Sequence, residues 1–383
     1  LFLFTLFRQQ WLAFGTALLF VLHPMAVESY AWMTERKNVL YSLFFLASAL
    51  AYSRWITEKY GRAILLSFLL FLLSIFSKAQ AITLIPVLFL IDFVLARNFR
   101  SSKIYLEKIP FFLVAILFTV LTSSAQVEQW GDLNSSGYTY FEKFFLASTA
   151  FVQYFFKGLV PVNLSAYYAY PNDVNQELSL FHYLSPLFGL AFLGLCFYAF
   201  KRSKVLFFGL IFFLVNIVLM LKFLNVPFGN YLMADRYNYL PLIGLMLSLV
   251  WAIKQIPTGR QEVGGAVKAA ILVLALFFGM LSWNRVKVWN NSVSLWSDII
   301  DAYPAYAHAY NMRGLGYIAE GKNQSAREDI EESLRIDPDI VNGYLNMAIL
   351  EFKLEHYEEA EPYATRAKEK FQDNARFTKF HHL

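Results

Sequence analysis

The segment His23-Pro-Met-Ala-Val-Glu-Ser-Tyr-Ala-Trp-Met-Thr-Glu-Arg-Lys-Asn38 holds His23, Glu28, Glu35, Arg36, Lys37 and Asn38 between two apolar runs. Polar groups at membrane depth are costly, so they face one another or a wet cavity. Glu28 and Glu35 lie seven residues apart, and a helical segment would project both carboxylates from one face. That arrangement sets a general base beside a cation suited to a lipid phosphate. The plainer alternative makes these solvated loop residues, with Arg36 and Lys37 touching headgroups. Lys78, in a very short connection, is either a member of the same face or a snorkelling anchor. In Met233-Ala-Asp-Arg-Tyr-Asn-Tyr-Leu-Pro241, Asp235 and Arg236 either pair with each other or leave Arg236 as a phosphate clamp, because its planar fork suits phosphate oxygens. Tyr167, Tyr168 and Tyr170 form an aromatic patch, read as an interfacial belt or as a carbohydrate platform. Asp92 is matched with Arg97 as a structural pair.

The elements that must position these groups are apolar runs at 11–22, 39–53, 64–76, 82–95, 111–121, 184–200, 205–221, 240–253 and 267–281, with the tail of another at 1–7. With 57% hydrophobic and only 16% charged residues, the chain lies outside the soluble range of about 25% charged. Nine to ten spans and helices throughout are expected, so the fold class is all-α. Several runs fall short of the roughly 20 residues that a perpendicular span needs. Leu1 stands inside an apolar run without an initiator Met or a signal-peptide n-region, which reads as an N-terminally truncated sequence.

Lys and Arg collect in alternate loops, at Arg8, at Arg54, Lys59 and Arg62, at Arg97, Arg100, Lys103 and Lys108, at Lys201, Arg202 and Lys204, and at Lys254, Arg260 and Lys268. The positive-inside rule makes these cytoplasmic and puts residues 23–38, 77–81, 123–143, 222–237 and everything after 281 outside. Arg285 and Lys287 run against that assignment. Parity makes 144–160 a re-entrant or interfacial helix, because a further span there would carry Lys201, Arg202 and Lys204 outside. The single cysteine, Cys196, excludes a disulfide framework or a thiolate metal site. The net charge of +5 is spread without a basic cluster, so no nucleic-acid partner is expected. No phosphate-loop, dinucleotide or H-E-x-x-H motif occurs, the metal set is empty, and His381 with His382 reads as incidental.

A thirty-four-residue pattern closes the chain. Residues 307–340 carry Tyr310, Gly314, Gly321, Ala326, Ser333, Leu334 and Pro338, and from Val341 the pattern returns with Tyr344, Ala348, Glu355, Ala360, Ala367 and Lys368. This resembles the tetratricopeptide repeat, a helix-turn-helix unit whose arrays bind peptides and proteins. Two copies are fewer than the three of a self-standing solenoid, so residues 296–303 are expected to supply a capping helix unless the repeats continue. The organisation read from the sequence is a membrane domain at 1–284, a connecting and capping segment at 285–306, two repeats at 307–374 and a tail at 375–383.

His23-Pro24, Glu28, Ala31-Trp32, Glu35-Arg36-Lys37-Asn38, Ser77-Lys78, Asp92, Asn163-Leu-Ser, Ala234-Asp-Arg-Tyr and Leu240-Pro241, taken in order, resemble the transmembrane and tetratricopeptide repeat-containing proteins, here as a bacterial member. These are similar to the GT-C class of polytopic glycosyltransferases, which includes the protein O-mannosyltransferases. The resemblance implies a GT-C-like helix bundle in the inner membrane with its repeats on the extracytoplasmic side. It further implies transfer of a sugar from a polyprenyl-phosphate carrier to an acceptor, with inversion at the anomeric carbon. Glu28 is then the catalytic candidate, and His23, Arg36, Lys78, Asp235, Arg236 and Tyr237 are substrate-binding candidates. The partners implied are the lipid-linked donor, a protein or peptide acceptor held by the repeats, and membrane lipids; a divalent metal is left open. Two departures stand out: Asn38 replaces an Asp common in relatives, and no Pro follows Lys78. The family's principal acidic motif falls in a loop upstream of Leu1. A polymerase or ligase of lipid-linked glycans, and a non-enzymatic membrane scaffold, are the alternatives.

Overall fold

The computed structural model describes residues 1–130, 138–171, 178–221, 231–255 and 265–380, with side chains described up to 122 in the first range and up to 371 in the last. Arg260, His381 and His382, together with parts of the 123–143 and 222–237 loops, lie outside the described residues. The contacts divide the chain into two compact units, Leu1–Leu164 with Tyr168–Arg285, and Ser165–Tyr167 with Val286–Leu383.

Among the described residues the first unit is helical, with one isolated bridge between Tyr168 and Met233. Its helices are α1 (Phe2–Phe7), α2 (Gln10–Val21), α3 (Val27–Ala31), α4 (Arg36–Glu58), α5 (Ala63–Ser77), α6 (Leu84–Val94), α7 (Lys103–Leu106), α8 (Ile109–Trp130), α9 (Tyr140–Leu159), α10 (Leu180–Arg202), α11 (Lys204–Ile217), α12 (Pro241–Lys254) and α13 (Gly265–Val288). Every apolar run lies on a helix, and among the described residues five are long and apolar enough to cross a membrane, or six if the bent pair Gln10–Val21 and Pro24–Ala31 counts as one span; the expectation of nine to ten also counts the shorter apolar helices Ala63–Ser77, Ala79–Val94 and Pro241–Lys254. The shortfall has a local cause, because α5 has 15 residues and α12 has 14. At 1.5 Å per residue these reach about 21–23 Å, against a hydrocarbon core of about 30 Å. Lys78 caps the C-terminus of α5, and a 3-10 turn at Asp235–Asn238 precedes α12, so polar loops take the place of the missing turns.

Lipid-type surface is plain on α8, α10 and α13, where Leu113, Ile116, Leu117, Leu187, Leu190, Leu193, Leu272, Val273 and Leu276 are exposed. A band of exposed aliphatics that wide marks a surface covered by something other than water. Inside the unit, helices meet through small residues, as membrane helices do in the absence of a hydrophobic force between them. Ser48 Oγ donates to the Ser67 carbonyl at 2.6 Å and Ser67 Oγ to the Ser48 carbonyl at 2.9 Å, which ties α4 to α5. Ser74 Oγ adds a bond to the Tyr41 carbonyl at 2.8 Å. Residues 144–159 lie within α9, one continuous helix of 20 residues opened by a Thr139–Glu142 capping box and followed by Val160 as its C-cap, and not among the five apolar spans.

The end of α4 that carries Tyr52 holds a buried ionic knot. Lys108 Nζ donates to Asp92 Oδ2 at 2.6 Å, to Tyr52 Oη at 2.7 Å and to the Ile104 carbonyl at 2.8 Å. Arg97 donates to Asp92 at 3.0 Å and pairs with Glu107.

In the second unit, α14 (Ser292–Ala302) precedes the helix pairs α15 (Ala307–Glu320) with α16 (Asn323–Ile336) and α17 (Val341–Lys353) with α18 (Tyr357–Phe380). Gly321, at φ 75°, closes α15 in the left-handed conformation, with its N–H and that of Lys322 bonded back to Ile318 and Tyr317. Glu355, at the same register one repeat later, holds φ 64° without a glycine. Ile318, Ala326, Ile330, Met347 and Leu350 form the core of the pairs.

Candidate functional site

Three stretches distant in sequence meet at the end of α4 that carries Asn38: the His23–Asn38 loop, the turn after α5, and the Asp235–Asn238 turn before α12. His23 builds the first of these, since Nδ1 accepts from the Met25 N–H at 3.2 Å and caps the 3-10 turn at Pro24–Ala26. The chain then forms α3, breaks at Trp32 with extended dihedrals, and makes another 3-10 turn at Met33–Glu35 before α4 begins. Glu28 and Glu35 are therefore not on one helical face as expected from their spacing. They still converge, because the break redirects Glu35 onto the same partner.

That partner is Arg236. Glu28 Oε2 accepts from its backbone N–H at 2.8 Å, and Oε1 accepts from Nη1 at 2.5 Å. Glu35 Oε1 lies 3.6 Å from Nε, and Tyr231 Oη accepts from Nη2 at 2.7 Å. The guanidinium also stands 5.3 Å from the Trp32 ring centre, 5.0 Å from Tyr231 and 4.9 Å from Tyr237. Burial works against its charge, and Glu28 more than offsets that, holding Arg236 cationic. With its charge shared between Glu28 and Glu35 and two of its N–H groups held by Glu28 and Tyr231, Arg236 organises the site.

Lys78 is the second cation. It donates to Asn38 Oδ1, lies 3.8 Å from Glu35 Oε2, and stands 5.2 Å from the Tyr237 ring centre. Burial pushes its ammonium down to about 7, with Glu35 opposing. Asn38 is fully buried and also donates to the Arg236 carbonyl at 3.3 Å, so one amide links both cationic stretches. Glu35 is 4% exposed, touches Lys37 at 3.3 Å through Oε1, and its Oε2 accepts no hydrogen bond from the described residues.

Asp235 and Arg236 do not pair with each other. Asp235 turns the opposite way and accepts from Tyr168 Oη at 2.8 Å; burial pushes its carboxyl up to about 7, with Arg285 opposing. Tyr154 fixes the turn from behind, accepting from the Ala234 N–H at 2.9 Å. Arg36 is not brought into this site. It opens α4, is exposed, and makes no ion pair among the described residues. Of the tyrosine patch, Tyr168 lies behind Asp235, Tyr170 packs on Tyr138 at 5.7 Å, and Tyr167 belongs to the second unit, stacked on Tyr306 at 4.4 Å. Tyr41, whose ring centre lies 5.8 Å from Lys78 Nζ, Tyr154 and Tyr231 were not legible as site residues in a chain with 23 tyrosines. Only the helical offset of Tyr41 from Asn38 pointed to one of them. Among the described residues no three His, Cys, Asp or Glu side chains come together as a metal-binding group.

The tetratricopeptide repeat family model matches residues 307–340, the boundaries of the first copy read from the sequence. The chain is 26% identical over 345 residues to the protein O-mannosyl-transferase F38B6.6 of Caenorhabditis elegans, covering 85% of this chain and 46% of that one. It is also 26% identical over 146 residues to the protein O-mannosyl-transferase Tmtc3 of Drosophila melanogaster, covering 38% of this chain and 16% of that one. The chain thus spans about half the length, or less, of these curated relatives. No solved structure matches it. Over most of its length, then, this helical chain with membrane-type spans is similar to protein O-mannosyl-transferases, and it ends in a tetratricopeptide repeat region.

Proposed function

We propose that the protein is a membrane glycosyltransferase of GT-C type that moves a sugar from a polyprenyl-phosphate carrier to a hydroxyl of a polypeptide on the extracytoplasmic side. The observation that carries this reading is the gathering of Lys78, Arg236, Glu28 and Glu35 from three distant stretches at one end of α4. Transfer of this kind breaks the bond between the anomeric carbon and the phosphate oxygen, and the carrier phosphate leaves with the electron pair. The acceptor oxygen forms the new bond from the opposite face and gives up its proton. A cation must stabilise the leaving phosphate and a carboxylate must take the proton. Lys78 suits the first task, because its named hydrogen bond to Asn38 leaves ammonium donors to spare. The acidic role expected of Glu28 passes in this reading to Glu35, because Arg236 takes both oxygens of Glu28 while Oε2 of Glu35 accepts no hydrogen bond. Glu28 then acts as a positioning residue through Arg236. His23, Asp235 and Tyr237 shape the loops that hold the pair, and the repeats engage the polypeptide acceptor or a partner.

The test is transfer from radiolabelled polyprenyl-phosphate mannose to peptide hydroxyls by the full chain in nanodiscs. Glu35→Gln is expected to lower the rate by about 10²–10⁴-fold, the range for a general base, while donor binding persists. Lys78→Met is expected to weaken donor binding as well. A Glu35→Gln rate within threefold of the parent removes Glu35 from the reaction, and no transfer by the parent protein removes the transferase reading itself.

A further inference from the structure

One member of the tyrosine patch has a place of its own. Tyr168 is 4% exposed, too enclosed for an interfacial belt or an open carbohydrate platform. Its carbonyl accepts from the Leu232 N–H at 2.8 Å within the bridge to Met233, and its Oη donates to Asp235 Oδ1 at 2.8 Å. A single residue thus grips the 232–235 stretch at both ends, one position before Arg236. Between those grips Tyr154 of α9 holds Ala234 by both backbone groups, its Oη accepting from the N–H at 2.9 Å and donating to the carbonyl at 3.2 Å. Lys157 supports Tyr168 in turn: its Nζ stands 5.2 Å from the ring centre and donates to the Val162 and Asn163 carbonyls at 3.3 Å and 2.6 Å.

Successive side chains of a 3-10 turn point about 120° apart. Holding the Asp235 carboxylate on one side therefore presents the next residue on another, where Arg236 gives both its backbone N–H and its guanidinium to Glu28. We infer that Tyr168 is a positioning residue for sugar transfer: through Asp235 it fixes the direction in which Arg236 leaves the turn, and with it the place of Glu35 beside Lys78. The link from Arg236 runs through its Nε, 3.6 Å from Glu35 Oε1, and Glu35 Oε2 lies 3.8 Å from Lys78. The inference rests on the transferase reading. The grip is firmest with Asp235 ionised, because a carboxylate accepts more strongly than a carboxylic acid. The groups that face Asp235 are Arg285, Glu28, Lys157 and Tyr168, with Tyr154 on the adjoining residue. Its carboxyl is pushed up to about 7, so the acidic limb of the pH–rate profile is expected near neutrality.

Tyr168→Phe tests this in the full chain in nanodiscs, since it keeps the ring over Lys157 and removes only the hydroxyl. Transfer from radiolabelled polyprenyl-phosphate mannose to peptide hydroxyls is followed from about pH 5 to about pH 9. The turnover number is expected to fall about tenfold with the donor KM within about twofold of the parent, the pattern of a misplaced group and not of a lost contact. Loss of a hydrogen bond to the ionised form raises the carboxyl pKa, so the acidic limb should move up by about one unit while the alkaline limb set by Lys78 stays. Tyr170→Phe should change neither limb. Independently of activity, hydrogen exchange in Tyr168→Phe should quicken across 231–240 and also across the 23–38 loop, which Arg236 holds. An unchanged turnover number with an unmoved acidic limb, an equal loss in Tyr170→Phe, or faster exchange that spares 23–38 overturns the positioning role. Absence of transfer by the parent overturns the transferase reading instead, and the exchange result then decides alone whether Tyr168 positions Arg236.

Discussion

Breaking the Glu28–Arg236 pair one side at a time, and then from both sides, tests the physical basis of the site. The Glu28 side chain is 2% exposed and that of Arg236 10%, so neither charge is screened by bulk water. Glu28→Gln keeps one acceptor for the Arg236 N–H but loses the charge-assisted bond to Nη1. Such a bond is worth about 1.5–3 kcal/mol, and Glu35 at 3.6 Å limits the loss by sharing the guanidinium. Arg236→Met leaves Glu28 buried with only a backbone donor, at about 3–4 kcal/mol, within the range for orphaning one member of a buried pair. If the two losses were independent, the double variant would be destabilised by about 4.5–7 kcal/mol. They are not independent. In Glu28→Gln/Arg236→Met no charge of the pair remains. The introduced amide still accepts from the backbone N–H, and the introduced thioether chain fills the box of Trp32, Tyr231 and Tyr237 with flexible apolar volume. The double variant is expected to lose only about 2–3 kcal/mol, a coupling of about 3 kcal/mol. Equilibrium unfolding in lipid micelles titrated with SDS measures all four proteins. Additivity to within about 0.5 kcal/mol would refute the reasoning, since it would mean that the two side chains do not hold each other.

Four further outcomes follow from the geometry. Lys78 has a folded pKa lowered to about 7 from 10.5, so between those values the unfolded chain binds more protons, and stability should rise with pH by up to about 1.4 kcal/mol per unit. Lys78→Met should remove that slope in SDS titrations at pH 7, 8 and 9, and transfer by the parent should fall across the same interval as the ammonium is lost. Gly244→Ala should destabilise the α11–α12 contact by about 1–3 kcal/mol, because a Cβ there meets the Gly209 carbonyl and lies 2.8 Å from the Phe213 nitrogen; the SDS midpoint reports it. Asp92→Asn should cost about 3 kcal/mol on the same scale by weakening the partner set of the fully buried Lys108. Glu355→Gly should raise the melting temperature of the repeat unit, read by hydrogen exchange at α17 and α18, by relieving a left-handed residue worth about 1 kcal/mol.

The positions of helices were legible because apolar runs must become helices where no water can satisfy the backbone. So were the short lengths of α5 and α12, because the runs 64–76 and 240–253 already fall short of a full span and are bounded by polar residues at Lys78 and at Asp235–Asn238. The repeat was legible to the residue, since a thirty-four-residue period fixes both helices and the turn between them. At the site, Glu28, Lys78 and Arg236 could be singled out as ionisable groups at the ends of apolar runs. Which of them touch depended on two features that composition hides: the extended break at Trp32, and the tight turn that sends Asp235 and Arg236 in opposite directions.

The exclusion of Arg36 was available in the sequence, although the run of four polar residues obscured it. The buried positions of α4 are Asn38, Tyr41, Ser42, Phe45, Ser48, Ala49, Ala51, Tyr52 and Ser53. Apart from Ala51, that series keeps to one helical stripe with steps of three and four. Extended one step toward the N-terminus it reaches Glu35, three residues before Asn38, and misses Arg36, which lies about 200° around the helix from Asn38. The stripe therefore carries the acid inward and the arginine outward, although the two are adjacent. At its other end the same stripe delivers Tyr52 to Asp92 and Lys108, about 21 Å along the helix from Asn38. Between them Ser48 exchanges hydrogen bonds with Ser67 of α5, and the Tyr41 carbonyl accepts from Ser74 Oγ of the same helix. One face of one helix thus fixes α5, and with it Lys78, against Asn38. Moving Glu35 off that face by inserting two residues between Glu35 and Arg36, which turns it by about 200° around the helix axis, should therefore separate Glu35 from Lys78 and Arg236 while leaving the Tyr52–Lys108 knot intact, which separates the positioning of the site from the stability of the bundle.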